Sequence, residues 1–206
     1  MRIRTLLENN TEIKFIDLGL PSGLKWATGN LVKNDNGIYS IGKETEWGTY
    51  VSWGNIDGHN EGEGYIFDDT NYNSTPGQQL GYSNISSTDA QHDICFARLG
   101  SPWHLPSRTN FQELINYTDN EWIRNHNNTG VNGRKFMKKT DHSIYIFLPA
   151  SGNYDGTILG ARNNDLCYWS SNYYSYTQAY RLFSFSTQLR VEGYYRRLGY
   201  TIRPVQ

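Results

Sequence analysis

Cysteine is nearly absent from this 206-residue chain, and its two copies, Cys95 and Cys167, allow one bridge at most. No disulfide framework organises the fold. Neither cysteine stands in a CxxC pair and no HxxxH pair occurs, so the clipped ligand spacing of a structural zinc site is missing. Both read as free thiols inside the protein. Also missing is any run of about 18 apolar residues that could span a bilayer. Residues 1–12 hold two arginines and only Ile3, Leu6 and Leu7 as apolar bulk, so no signal peptide is visible. Excess charge is lacking too: a net charge of −1 and a pI near 6.5 give no global pull toward nucleic acid. The expected partners therefore exclude nucleic acid and membrane insertion. Apolar residues are scarce at 37%, whereas aromatics reach 15% and glycines number 20. Rings must fill much of the interior.

Catalytic signatures are equally thin. His59, His92, His104, His126 and His142 are scattered, with no G-x-S-x-G, H-E-x-x-H or phosphate-binding glycine loop among them. A general base needs a substrate proton or nucleophile within hydrogen-bond reach, and no pattern here supplies one. The expectation is a non-enzymatic protein with no catalytic and no metal-ligating residues. Asp57, Glu61, Glu63, Asp68 and Asp69 form an acidic group that calcium could use, but their spacing does not follow the EF-hand order. They read as a solvated acidic loop, and no cofactor is expected.

What is present can be read in chain order. Residues 12–18 alternate apolar and polar side chains, Pro21, Ser22 and Gly23 supply a reversal, and Lys25, Trp26 and Ala27 resume, which predicts a hairpin over 13–28. Residues 34–82 are rich in Gly, Asn, Asp and Ser and read as a long loop insert in one domain, 13–206, after an extension at 1–12. A helix is predicted over 90–99, capped by Thr88 or Asp89 and ended by Gly100 in a left-handed conformation. Ser107 caps a second, in which Phe111, Leu114 and Ile115 recur at helical spacing. A short third helix is expected over 119–125. After Gly130 the chain reads as strands, at 144–148, 168–171, 179–185, 189–191 and 200–205. Helices before strands without βαβ alternation predict an α+β fold, two main helices against a twisted antiparallel sheet.

The terminal stretch is compositionally distinct. Eight of the sixteen tyrosines lie between Tyr168 and Tyr200, with five arginines through Arg203 and no lysine. Tyr and Arg give large, semi-rigid, amphipathic contact area at modest entropic cost, which describes a binding surface. The six tryptophans, with Tyr168, Tyr180 and Tyr200, are assigned to packing, and Arg203 to a buried acceptor. Strand alternation puts Ala179, Arg181, Phe183 and Phe185 on one side, taken as a ligand-facing row with Arg181 as its anchor. The remaining candidate ligand contacts are Tyr173, Tyr174, Tyr176, Arg190, Tyr194, Tyr195, Arg196 and Leu198. Their clustering marks an interaction patch.

Seven colinear segments share one resemblance: IDLGLPSGLKWAT at 16–28, WHLPSRTNFQEL at 103–114, GVNGRKF at 130–136, IFLPASGNYDG at 146–156, YWSS at 168–171, AYRLF at 179–183 and GYTIRPV at 199–205. Together they resemble the Fibrobacter succinogenes major paralogous domain. That family is similar in fold to C-type lectin-like domains, including the formylglycine-generating branch and the variable proteins of diversity-generating retroelements. The resemblance implies a C-type lectin-like fold whose C-terminal strands and loops, residues 173–198, form the ligand face. It also implies retroelement mutagenesis near the C-terminus, with Gln178, Gln188 and Glu192 outside its codon spectrum. The Glu-Pro-Asn or Gln-Pro-Asp tripeptide of calcium-dependent sugar binding is missing, and only Cys167 lies in the half where the oxidase branch carries two cysteines. The expected function is adhesion or receptor binding by a phage or bacterial protein, at a virion or cell surface, toward a protein or glycan on another cell. The rival expectation is a structural assembly module, a homo-oligomer with the same face buried between subunits.

Overall fold

The computed structural model describes residues 14–206, so the extension at 1–12 and the first residue of the expected hairpin lie outside the described residues. Strand β1 (Phe15–Ile16) pairs antiparallel with β2 (Trp26–Ala27), matching Ile16 to Trp26 as the apolar alternation requires. The reversal closes through Gly23 N–H to Leu20 carbonyl, 2.9 Å. Ser22 donates to Glu113 through both its amide and its hydroxyl, which fixes this turn to a helix 91 residues away.

Strands β3 (Leu31–Lys33) and β4 (Tyr39–Ile41) form a small ladder, followed by two single-turn helices, α1 (Asp69–Tyr72) and α2 (Pro76–Gln79). Between them the insert is mostly irregular, as its composition predicts. Its acidic residues do not converge. Asp57 pairs with Arg98, Glu61 with Arg162, Glu63 with Lys33 and Asp69 with Arg197, while the Asp68 carboxylate caps α1. No group of three or more metal-ligating side chains is present among the described residues.

Helix α3 (Ile94–Leu99) starts later than expected. Asp89 spends its carboxylate locally on the amide of Gln91 and the ring of His92, whereas the buried carboxylate of Asp93 takes the amides of Cys95, Phe96 and Leu105. Burial pushes the Asp93 carboxyl up to about 7 against the pull of those amides. Gly100 ends the helix at φ 77° and ψ 176°, a positive-φ conformation open to glycine but not the left-handed helical one. Helix α4 (Arg108–Tyr117) follows the sequence closely: Ser107 and Asn110 form a reciprocal capping box, and Phe111 and Leu114 are buried.

The expected third helix is a strand. β5 (Thr118–Ile123) pairs residue for residue with β6 (Gly133–Lys138), which pairs with β7 (Asp141–Pro149). A six-residue ladder against an existing hairpin outweighs the weak helical signal of Asp119 and two apolar residues. Strands β8 (Asn153–Asp155) and β9 (Ile158–Gly160) form another short ladder. The last sheet is β10 (Leu166–Tyr173), β11 (Gln178–Phe185) and β12 (Gln188–Tyr195), antiparallel with β11 in the middle.

The architecture is α+β, but among the described residues its strands form five small antiparallel sheets, two of them three-stranded, and not one continuous sheet. Residues 199–205 stitch them together through single bridges: Gly199 to Tyr154, Tyr200 to Val51, Thr201 to Tyr168, and Val205 to both Trp26 and His104. Two apolar clusters flank β10 and β11. One packs α4 under Trp26, Tyr168 and Leu182; the other gathers Trp53, Cys95, Cys167, Trp169 and Tyr200. Adjacent Tyr168 and Trp169 point into opposite clusters, as strand alternation demands. Both cysteines are free and buried, and burial pushes the Cys167 thiol up to about 12. Trp26, Trp53 and Trp169 are fully buried, and Trp47, Trp103 and Trp122 are half-buried.

Candidate functional site

Tyrosines collect at the end of the sheet where the β10–β11 loop meets the chain leaving β12. Tyr176 and Tyr195 face a cleft of about 280 Å³ that Asp69, Gln78 and Arg197 complete. Tyr82 packs against Tyr176 and Tyr173 at centroid distances of 5.7 and 6.2 Å, and Tyr194 against Tyr195 at 5.5 Å. The resulting group stays in solvent: Tyr82 is 68% exposed, Tyr176 52%, Tyr195 47% and Tyr194 39%. Tyr174 is as exposed as Tyr176 but turns to the other side of the sheet. Its ring sits edge-on to Tyr180 and over Gly193, where any side chain would collide with it.

Arg196 lies directly beneath this rim and is 1% exposed, so it is not the ligand contact expected of it. Its guanidinium stacks over Trp53 at 4.3 Å and donates to the carbonyls of Gln178, Gly81 and Ser175 at 3.1, 2.7 and 2.7 Å. Those carbonyls belong to the segments that carry Tyr82 and Tyr176. A planar donor fork suits this task because it satisfies several carbonyls at once, and here it ties two loops together from below. Leu198 is likewise buried, in the cluster around Trp169, and is core.

The expected row on β11 needs correction as well. Ala179, Arg181 and Phe183 do share one face, but β11 is the central strand between two clusters, so both of its faces turn inward. Arg181 is 6% exposed. It donates to Glu192 at 2.8 Å and to the Tyr200 hydroxyl at 2.7 Å, and lies 4.1 Å from the Tyr194 ring and 4.4 Å from that of Phe183. Arg190, half exposed, lies over the other approach to Phe183 at 4.8 Å and bonds to Glu192 at 2.7 Å. Burial pulls the Glu192 carboxyl up, but Arg190 and Arg181 together hold it below the usual carboxylate range. Phe185 is half-buried at the opposite end of the sheet, away from the tyrosines, next to the β11–β12 turn.

The eleven expected contacts thus divide three ways. Tyr173, Tyr176, Tyr194 and Tyr195 form one rim, with Tyr174 around the corner. Arg181, Arg196, Leu198 and most of Phe183 are interior. Phe185 and Arg190 belong to the far end. Tyr82, Asp69 and Arg197 complete the rim and are not among the contacts expected from sequence. Tyr82 sits alone among Gly, Ser and Asn more than 90 residues before its ring partners, with no local pattern to flag it.

No family model, curated protein or solved structure matches the chain.

Proposed function

We propose that this protein is a non-enzymatic binding protein that recognises a protein or glycan on another cell through the tyrosine rim formed by Tyr82, Tyr176, Tyr194 and Tyr195. The observation that carries this reading is the pairing of an exposed aromatic group with a buried base that ties its loops together. Four rings stand in solvent, two of them, Tyr176 and Tyr195, lining a cleft and the other two, Tyr82 and Tyr194, packed against these. Beneath them Arg196 holds both supporting loops by their carbonyls. Loops fixed before contact lose less entropy on binding, so the rings convert more of their contact area into affinity.

The scaffold is proposed to be C-type lectin-like, of the Fibrobacter succinogenes major paralogous domain type. In support, two helices precede an antiparallel strand region whose C-terminal loops present the rim, and the recurrent segments at 16–28, 103–114 and 199–205 build the interior. On this reading the chain is a retroelement-diversified receptor-binding or adhesion protein, at a virion or cell surface, with exposed tyrosines near its C-terminus over a buried base. No helix among the described residues is long and apolar enough to cross a membrane.

The test is attachment to intact bacterial cells, followed by flow cytometry of labelled protein. Replacing Tyr176 and Tyr195 with Ala should abolish attachment, about a hundredfold loss for two hot-spot rings. Attachment equal to the parent would refute the rim.

A further inference from the structure

A second cleft opens at the other end of the sheet, where β5 meets the β11–β12 turn. It encloses about 460 Å³, within the range of small-molecule sites. Three of its lining residues are aromatic, Trp122, Phe183 and Phe185, the two phenylalanines meeting edge to face at 5.8 Å. Facing them are Asp165, Asn164 and Arg124. Each of the two walls is braced from behind. Arg134, buried, donates to Ser184 Oγ, Asn120 Oδ1 and the Phe185 carbonyl at 2.8, 2.9 and 3.0 Å, joining β5 to the turn and lying over the Trp122 ring. The polar wall is a loop with Ala161 at φ 55° and Asn163 at φ 66°, locked to Asn132 by two hydrogen bonds of 2.8 Å. An alanine in the left-handed region costs roughly 1 kcal/mol, and such strain persists where the surrounding structure enforces it.

The Asp165 carboxylate is the odd group in this wall. It is half-buried, and burial raises its pKa while the charge of Arg181 opposes the rise. Among the described residues, no donor is hydrogen-bonded to it. Its oxygens reach the solvent of the cleft and are free to accept from hydroxyls.

We propose that this cleft binds a saccharide, with the C–H faces of a neutral hexose ring on Trp122 and Phe185, over a floor that includes the edge of the buried Phe183, and its hydroxyls on Asp165, Asn164 and Arg124. The chemistry separates this occupant from others. A phosphate-bearing ligand would meet the Asp165 carboxylate beside the single guanidinium of Arg124. A purely apolar side chain would leave the carboxylate and amide of the opposite wall dry and unpaired. A sugar ring presents apolar faces and a hydroxyl rim together, matching aromatic walls against an acid, an amide and a guanidinium. Because those side chains take the hydroxyls directly, the binding is independent of calcium. This site is separate from the tyrosine rim, and neither reading rests on the other.

The experiment is a ¹⁵N NMR titration of the full chain with glucose, galactose, mannose and N-acetylglucosamine as methyl glycosides, and with cellobiose, maltose, lactose and chitobiose. The Trp122 indole signal is assigned from Trp122→Phe. At least one of these sugars should shift that signal and saturate in the millimolar range, about 4 kcal/mol of binding, unchanged by EDTA. Asp165→Asn should weaken that sugar roughly tenfold and Trp122→Ala at least as much, whereas Tyr176→Ala with Tyr195→Ala leaves it alone. If Trp122→Ala does not fold, Asp165→Asn decides. The proposal is overturned if none of the sugars shifts the Trp122 signal at about 20 mM, if EDTA removes the shift, or if Asp165→Asn binds as the parent does.

Discussion

Tyr195 and Arg196 are adjacent in the chain, yet 47% of one is exposed and only 1% of the other. Both residue types belong to binding hot spots, and composition alone treats them alike. What separates them is the supply of backbone acceptors. Arg196 enters the interior because the carbonyls of Gly81, Ser175 and Gln178 and the face of Trp53 converge on it. Tyr195 finds no comparable partner and stays at the cleft. Arg203 repeats the pattern at the centre of the fold, fully buried on Asn30 Oδ1 and the carbonyls of Ala27 and Phe147. Arg134 does so under the β11–β12 turn. In this protein buried guanidinium groups work mainly as ties between loops, and the exposed phenols carry the contact surface.

The largest effect should come from the most deeply buried tie, Arg203, which is 0% exposed. Arg203→Ala removes the donor from three acceptors and leaves a cavity beside Tyr168, and should cost about 4 kcal/mol, read as a large fall in the urea midpoint. Arg196→Ala should cost about 3 kcal/mol, and hydrogen exchange should accelerate selectively at residues 80–83 and 174–178. If Arg196 were a contact residue instead, its loss would leave both readings unchanged and reduce only binding. At the small end, Tyr176→Ala with Tyr195→Ala should shift stability by less than about 1 kcal/mol in total, since exposed side chains away from caps and cores rarely matter more. A larger loss would move those rings from the rim to the core.

Local signals in the sequence were reliable where the chain contacts itself at short range. The hairpin, over its described residues, the Ser107 cap with Phe111 and Leu114, and the strand character between Gly133 and Tyr195 appear in the structure, whereas 200–205, expected as a strand, pairs only through single bridges. The buried acceptor set of Arg203 appears as well. Alternation along β11 was also legible, but burial of both its faces was not, because one is covered by the Trp169 cluster and the other by the cluster around α4, built from residues distant in sequence. Arg196 was misjudged for a similar reason: its acceptor Gly81 is 115 residues away. The strand at 118–123 was read as a helix because its pairing partner, β6, decides its conformation. Tyr82 and Asp165 acquire meaning only when the fold brings distant rings to them.

The central claim is that the rim tyrosines are accessible in the free protein while the rings below them are closed. Tyrosine nitration of the free chain, mapped by mass spectrometry across a range of protein concentrations, tests it most directly. Modification should fall on Tyr82, Tyr176, Tyr194 and Tyr195, independent of concentration, and spare the buried Tyr72, Tyr168 and Tyr200. Protection of the rim that grows with concentration would show the surface covered by a second copy, an assembly joint, and would contradict the account.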